Sequence, residues 1–201
     1  MKLRFLMAAV LTTSCLLPIS AQAAPVYVFP VAGCEVNYAR AHHDYPATDI
    51  LAKSGCAFVA PIDGVIDEVN RVDSWSGKTN LGIDRGGLYV SFIGDDGVRY
   101  YASHLRSIPQ SIQPGVAVKV GRLLGTVGTS GSARGTKPHI HFGLSWSTPP
   151  QTWWVRRGMV WPWKYLDAWK AGKDLSPAKE VEAKRLKTGD LPPEPVNEKR
   201  K

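Results

Sequence analysis

The chain has 201 residues, a length that suits one domain with extensions. Hydrophobic residues make up 44% and charged residues 21%, which excludes a wholly disordered chain. The formal net charge of +8 favours an anionic partner, and we expect a cell-wall polymer or a membrane surface rather than nucleic acid. The 19 glycines and 15 prolines favour short strands and turns over long helices.

The start of the chain predicts a signal peptide over residues 1–23. Lys2 and Arg4 precede an apolar run at 5–17, and the Ala-Gln-Ala at 21–23 matches a small-x-small cleavage site. We therefore expect an exported protein, periplasmic or secreted and associated with the cell envelope. The rest of the chain has no apolar run long enough to span a bilayer, so no transmembrane span is predicted.

The three cysteines allow more than one arrangement. Cys15 lies inside the apolar run, and its acylation in a lipoprotein is the alternative to cleavage of the signal. Cleavage leaves Cys34 and Cys56, and two cysteines in an exported chain most simply form one disulfide. Two free thiols, or a zinc site that uses both sulfurs, are the alternatives.

Short β-branched and aromatic runs, separated by turn signals, follow the signal peptide. One stretch predicts a hairpin, because two such runs flank Asp63-Gly64, a strong tight-turn pair. Together they predict a mainly β fold, a compact domain of short antiparallel strands that form packed sheets. The runs are residues 26–31, 49–51, 58–69, 88–93, 98–102, 116–128 and 138–144.

The composition changes after residue 144. The segment 145–170 holds six of the seven tryptophans, and we expect it to pack back on the domain. A carbohydrate-stacking surface is the alternative. We therefore place the domain at 24–170, with 145–170 as a Trp-rich extension that contains one short helical turn. Residues 171–201 are charged and contain proline, and they predict a disordered or weakly helical tail.

Two histidines lie one residue apart in the strand-like run at 138–144. Side chains alternate between the two faces of a strand, so His139 and His141 point to the same side. Such a pair places a metal ligand and a proton-transfer group around one small volume. The alternative is a pair of histidines on the solvent face of a sheet.

All five histidines fall in three places along the chain, and an aspartate accompanies the first group. A catalytic zinc needs three protein ligands from histidine or carboxylate and one open position for water, which this set can provide. The residues are His42 and His43 with Asp49, then His104, and finally His139 and His141.

These motifs resemble those of the LytM/lysostaphin-type zinc endopeptidases of bacterial cell walls. That family has a His before Asp-Ile, a Pro-x-x-Gly-x-Val element, Tyr-x-His-Leu, a Gly-x-Ser/Thr-Gly loop and a terminal His-x-His-Phe. The matches, in the same order, are Asp49-Ile50, Pro61 to Val65, the segment Tyr101 to Leu105 with its Ser insertion before His104, Gly128 to Gly131, and His139 to Phe142.

The resemblance implies roles for the candidate residues around an active-site groove. It makes Asp49 and His141 ligands of one Zn²⁺ and makes His104 and His139 catalytic partners that do not bind the metal. The family's third ligand lies four residues before the aspartate, where this chain has Tyr45.

His42 and His43 are therefore alternatives for the third ligand position. They precede Asp49 by a longer loop than the family has. We give His43 a slight preference, because it has the shorter loop to span.

The resemblance implies a zinc-dependent metalloendopeptidase, which we expect to be exported, as the signal peptide predicts, and monomeric. It hydrolyses peptide bonds of peptidoglycan stem peptides or crosslinks through a zinc-activated water. One alternative is a non-catalytic module on the same fold that binds the cell wall or activates another hydrolase. Another is a polysaccharide-binding protein that acts through its Trp-rich extension.

Overall fold

The computed structural model describes residues 26–195, so the predicted signal peptide at 1–23 lies outside the described residues. This part of the chain is mostly β, and none of its helices is long and apolar enough to cross a membrane. The strands are β1 Val31–Ala32, β2 Val36–Tyr38, β3 Thr48–Ala52, β4 Ala57–Val59, β5 Gly64–Asn70, β6 Tyr89–Gly94, β7 Arg99–Ser103, β8 Leu105–Ser107, β9 Ala117–Val118, β10 Leu123–Val127 and β11 His139–Ser145. Three helices follow them, α1 Trp153–Arg156, α2 Trp163–Lys170 and α3 Ala178–Thr188.

The strands form two sheets, and within each sheet all neighbouring strands are antiparallel. One sheet has seven strands in the order β2-β3-β11-β7-β6-β5-β9, and the other has four in the order β1-β4-β10-β8. Turns rich in glycine and proline connect these short strands, as the composition predicts. The predicted mainly β class with packed antiparallel sheets is confirmed.

Strand β11 separates the hydrophobic core from the histidine side of the large sheet. Ile140, Phe142 and Leu144 are fully buried and contribute to the core, so this face gains stability from apolar burial. The alternating residues His139 and His141 lie on the opposite face. The alternation predicted for the pair is therefore observed.

The hairpin predicted around Asp63-Gly64 is not formed. Strand β4 belongs to the four-stranded sheet and β5 to the seven-stranded sheet, so the intervening residues cross between sheets. Gly64 has no left-handed backbone conformation. Instead, its lack of a side chain permits close pairing, since a Cβ there would lie 2.3 Å from the Ile93 carbonyl oxygen. The Asp63 side chain accepts a hydrogen bond from the Val120 amide, which holds the segment that crosses between the two sheets.

Cys34 and Cys56 form the disulfide that the sequence predicts. The bond closes a loop of the chain that includes the double histidine, His42 and His43, and the strand that begins at Thr48. A disulfide restricts the unfolded chain, so this one favours the folded arrangement of the loop that supplies candidate site residues.

The Trp-rich extension packs on the domain through buried aromatic side chains. Trp169 is only 3% exposed and stacks on Tyr27, with ring centroids 5.3 Å apart. It also meets Phe142 of β11 at 6.5 Å. Residue Val160 forms a β-bridge to Leu144 and so continues the large sheet locally. The extension therefore belongs to the core, and it contains two helices where the sequence predicted one helical turn.

The segment from residue 171, predicted as a disordered or weakly helical tail, contains a helix in the described structure. Ala178–Thr188 form helix α3, whose Val181 is buried against the core. Two indoles also hold the chain beyond it: Trp146 Nε1 donates to the Asp190 carbonyl and Trp154 Nε1 to the Pro192 carbonyl, both at 2.8 Å. The low apolar content of the segment does not indicate these contacts, because the partners lie far away in the sequence.

We expect Trp169→Ala to lower the free energy of unfolding by about 3–5 kcal/mol, because it leaves a large cavity among buried aromatic rings. Trp163→Ala, at a partly exposed indole on the same helix, serves as the control and should cost clearly less. Urea unfolding followed by circular dichroism measures both. Equal losses in the two variants would contradict the packing described here.

Candidate metal centre

The candidate site residues line one cavity of about 550 Å³ on the histidine face of the large sheet. Its floor is formed by β3, β11 and the end of β7, and its walls come from loops and from α1. All six residues predicted from the sequence line it, namely His42, His43, Asp49, His104, His139 and His141.

Three of these residues converge on one point. Strands β3 and β11 pair in a register that sets Asp49 directly opposite His141. Asp49 Oδ1 lies 3.1 Å from His141 Nδ1 and 3.6 Å from His42 Nε2. One ligand atom from each residue lies within 4.8 Å of the other two, a spacing that suits a single metal ion.

Backbone carbonyls determine which ring nitrogens of this group carry hydrogen. His141 Nε2 lies 2.8 Å from the Arg157 carbonyl oxygen and His42 Nδ1 lies 3.2 Å from that of Tyr45. A carbonyl only accepts, so each of these nitrogens donates. The opposite nitrogens then present lone pairs toward the Asp49 carboxylate, which is also an acceptor. A proton or a cation must lie between these acceptors.

The structure brings His42, rather than His43, to Asp49 and His141. The His42 side chain is 5% exposed and its ring lies 4.7 Å from that of Tyr45, whose carbonyl orients it. His43 is exposed, and its ring is 4.9 Å from that of His42. The extra residues before Asp49 thus let the first histidine of the pair turn inward.

His104 and His139 face the same cavity beside this group, with ring centroids 5.0 Å apart. Each donates from Nδ1 to a carbonyl oxygen, His104 to Ser130 at 2.8 Å and His139 to Lys137 at 2.7 Å. Their Nε2 atoms are therefore left as acceptors. His104 follows β7 at the point where the chain passes to the other sheet, with φ of 63°. Such a conformation is uncommon outside glycine and fixes the direction of the ring.

Burial keeps His42 and His104 neutral near pH 7. Burial, with the charge of His141, lowers the pKa of His42 to about 4. Burial, with the charges of His141 and His139, lowers the pKa of His104 to about 3. Burial acts to raise the pKa of Asp49, but a proton on His141 Nδ1, hydrogen-bonded to Asp49 Oδ1, outweighs it and holds the pKa of the carboxyl below its usual value. Near pH 7 the site thus offers the neutral imidazoles of His42 and His104 and the Asp49 carboxylate.

This donor set fits zinc. Two imidazole nitrogens and one carboxylate oxygen are ligands that Zn²⁺ prefers, and three protein ligands leave a position for water. The lone pairs of His42 Nε2 and His141 Nδ1 face the Asp49 carboxylate, which is also a hydrogen-bond acceptor. A cation bound between the three groups would satisfy all of them.

Sequence reasoning did not identify Arg157, which contributes to the site from the Trp-rich extension. Besides its carbonyl bond to His141, its guanidinium lies over the ring of Tyr45 at 3.7 Å. Gly143 makes this approach possible, because a Cβ there would lie 2.3 Å from the Arg157 carbonyl oxygen. The only signal in the sequence is an arginine pair followed by a glycine, one residue after two tryptophans.

The sequence matches the family model for peptidase family M23 over residues 43–152, more than half of the chain. The chain therefore belongs to peptidase family M23, and the predicted class, a LytM-type zinc metalloendopeptidase, is confirmed. Among proteins with curated descriptions, none matches the sequence.

Solved structures are similar in fold. The antimicrobial peptidase lysostaphin from Staphylococcus simulans aligns with a TM-score of 0.54 and 22% identity, covering 77% of this chain and 59% of that one. A candidate M23 peptidase from Pseudomonas aeruginosa aligns with a TM-score of 0.51 and 21% identity, covering 73% and 53%. This chain thus spans less than two thirds of either structure, and at these identities the likeness establishes the fold alone.

We expect His42→Ala to abolish stoichiometric zinc binding and His43→Ala to retain it, because only His42 lies against Asp49 and His141. Isothermal titration of the chelator-treated protein with Zn²⁺ measures the difference. The adjacent exposed His43 is the matched control. Loss of zinc in His43→Ala, with retention in His42→Ala, would contradict this geometry.

The chelator-treated protein should lose stability as the pH falls from about 6.5 toward 3. The unfolded chain takes up a proton on His104 near pH 6.5, whereas the folded chain does so only near its lowered pKa of about 3. Urea unfolding at pH 7, 6 and 5 should show a smaller decline for His104→Gln than for the parent. His43→Gln, at an exposed ring, should leave the decline unchanged. A decline as steep in His104→Gln as in the parent contradicts the assignment.

Proposed function

We propose that this protein is an exported zinc metalloendopeptidase that hydrolyses peptide bonds of peptidoglycan stem peptides or crosslinks. The observation that carries the proposal is the convergence of His42 Nε2, Asp49 Oδ1 and His141 Nδ1 beside two further imidazoles in one cavity. Membership of an M23 peptidase family, and the resemblance of the motifs to those of cell-wall endopeptidases, support the substrate class.

We assign the metal ligands to His42, Asp49 and His141, with a single Zn²⁺ between them. Zinc held there would supply Lewis-acid chemistry to a water molecule and to the carbonyl of the scissile bond. The Arg157 carbonyl orients His141 by accepting from its Nε2, as protein groups commonly do for metal-binding histidines.

We assign proton transfer to His104 and His139. Both keep their Nε2 lone pairs toward the cavity because Nδ1 donates to a backbone carbonyl. A neutral imidazole with a free Nε2 can accept the proton of the attacking water and later donate it to the leaving amine. After protonation, the same N–H can stabilise the oxyanion that develops at the carbonyl.

The disulfide and the extension support the rest of the proposal. A bond between Cys34 and Cys56 is typical of an oxidising compartment, in agreement with export into the periplasm or the medium. The functional domain would run from residue 24 through the extension at 145–170, because Arg157 and Trp153 line the cavity. The protein would act as a monomer, since one chain supplies every ligand.

Purified peptidoglycan embedded in a gel tests the proposed activity. We expect a cleared band for the zinc-loaded protein and none after chelation, with activity restored by added Zn²⁺. His139→Ala should retain zinc but lower kcat by about 100- to 10,000-fold, because it removes a proton-transfer group. Mass spectrometry of the released fragments identifies the bond cleaved.

His43→Ala is the matched control for these histidine variants and should retain both zinc and clearing. Absence of clearing by the zinc-loaded parent would refute the enzymatic proposal. Binding to peptidoglycan without release of peptides would then indicate the non-catalytic module.

A further inference from the structure

The guanidinium of Arg157 forms part of the cavity wall next to the candidate metal ligands. It lies over the ring of Tyr45 at 3.7 Å and over that of Trp153 at 4.9 Å. The Tyr45 ring is itself 4.7 Å from the ring of His42 and 5.7 Å from that of His141. The positive charge is thus held one aromatic ring away from the point where a peptide bond would be cleaved.

This guanidinium has no anionic partner within residues 26–195. No carboxylate lies within 4.0 Å of it in that part of the chain, and its buried Nε makes no hydrogen bond there. The neighbouring buried arginines Arg156 and Arg99 also have an Nε without a hydrogen bond, but they differ in pairing with carboxylates, Arg156 with Glu68 and Arg99 with Asp67. A buried or half-buried charge is normally paired, so the unpaired state of Arg157 is informative.

A second guanidinium, that of Arg85, lines the same cavity. Its Nε donates to Asn80 Oδ1 at 3.1 Å, and among the described residues it forms no ion pair. Burial lowers the pKa of Arg157, Tyr45 opposes that effect, and the like charge of Arg85 lowers the pKa further. Asp44 is the one carboxylate with an opposing influence, and it is exposed. The positive charges of Arg157 and Arg85 therefore face the cavity, and neither forms an ion pair with a carboxylate among the described residues.

The stacked arrangement favours recognition of a planar anion. Contact with an aromatic ring uses a face of the guanidinium and leaves its N–H groups, which lie in the plane, for an acceptor. A carboxylate matches that edge with two parallel hydrogen bonds. Arg157 lies beyond the matched family segment at 43–152, so this feature belongs to the extension of this chain.

We propose that Arg157, assisted by Arg85, binds a free carboxylate of the peptide substrate beside the scissile bond. The cavity thereby selects peptides that carry an unmodified carboxylate near the site of cleavage over their amidated counterparts. This inference rests on the proposed peptidase function and names the substrate class that the site prefers.

Two peptides that differ only in this group test the proposal: a crosslinked muropeptide dimer with free stem-peptide carboxylates, and the same dimer amidated. We expect the parent to cleave the free form with a kcat/KM about 10- to 100-fold higher, as a charge-assisted hydrogen bond provides. Arg157→Gln should abolish this preference, so that the free and the amidated dimer are cleaved with equal kcat/KM. Dimers amidated only at the terminal carboxylate, or only elsewhere, identify the group that is bound.

Arg40→Gln is the matched control, because Arg40 also lies over a tryptophan ring, that of Trp163, but is exposed and outside the cavity. It should keep the preference. Equal losses on both dimers in Arg157→Gln would show a structural role and overturn the proposal, as would a parent without preference.

Direct binding separates this inference from the proposed activity. If the parent cleaves neither dimer, the peptidase proposal fails. Titration of both dimers, followed by tryptophan fluorescence, then decides the binding proposal. Tighter binding of the free form by the parent, lost in Arg157→Gln, supports it, and equal binding of both dimers refutes it.

Discussion

The register of β3 against β11 is the constraint on which the rest of the site depends. It sets the Asp49 carboxylate opposite His141, and antiparallel pairing at both edges of β11 holds that position rigid. A shift by one residue would turn both histidines of the strand into the core and the apolar residues outward. The buried face formed by Ile140, Phe142 and Leu144 therefore secures the chemistry on the other face.

Backbone carbonyls orient the imidazole rings that the register of the strands brings together. Those of Tyr45, Ser130, Lys137 and Arg157 each accept from one imidazole nitrogen, and so decide which nitrogen faces the cavity. Carbonyls do not titrate, so these four acceptors remain available to the rings whatever the pH. The inner histidines serve different purposes because different nitrogens are left free: Nδ1 in His141, and Nε2 in the others.

Much of the site was predictable from the sequence because it depends on short-range rules. Strand alternation places His139 and His141 on one face, and the resemblance of Asp49-Ile50 to the family motif identifies Asp49. The choice of His42 over His43 was not predictable, since it depends on a loop whose course is set by the Tyr45 carbonyl and on burial against distant strands.

Long-range packing explains what the sequence pattern missed in the fold. The pair Asp63-Gly64 has the composition of a hairpin turn, yet the close approach of Ile93 from another strand determines its conformation. Likewise, helix α3 has a single buried apolar residue, Val181, and the chain beyond it is held by indoles more than thirty residues earlier. Local propensity contains no information about such partners.

The contact between Arg157 and His141 also has a consequence for the order in which parts of the site become available during synthesis of the chain. One metal-facing ring depends on a carbonyl from the last quarter of the chain, although Asp49 and His42 belong to the first quarter. A partly synthesised chain that ends before the extension has the sheet residues but lacks the group that selects the tautomer of His141. The orientation of His141 can therefore be fixed only after all eleven described strands and the start of the extension have been synthesised.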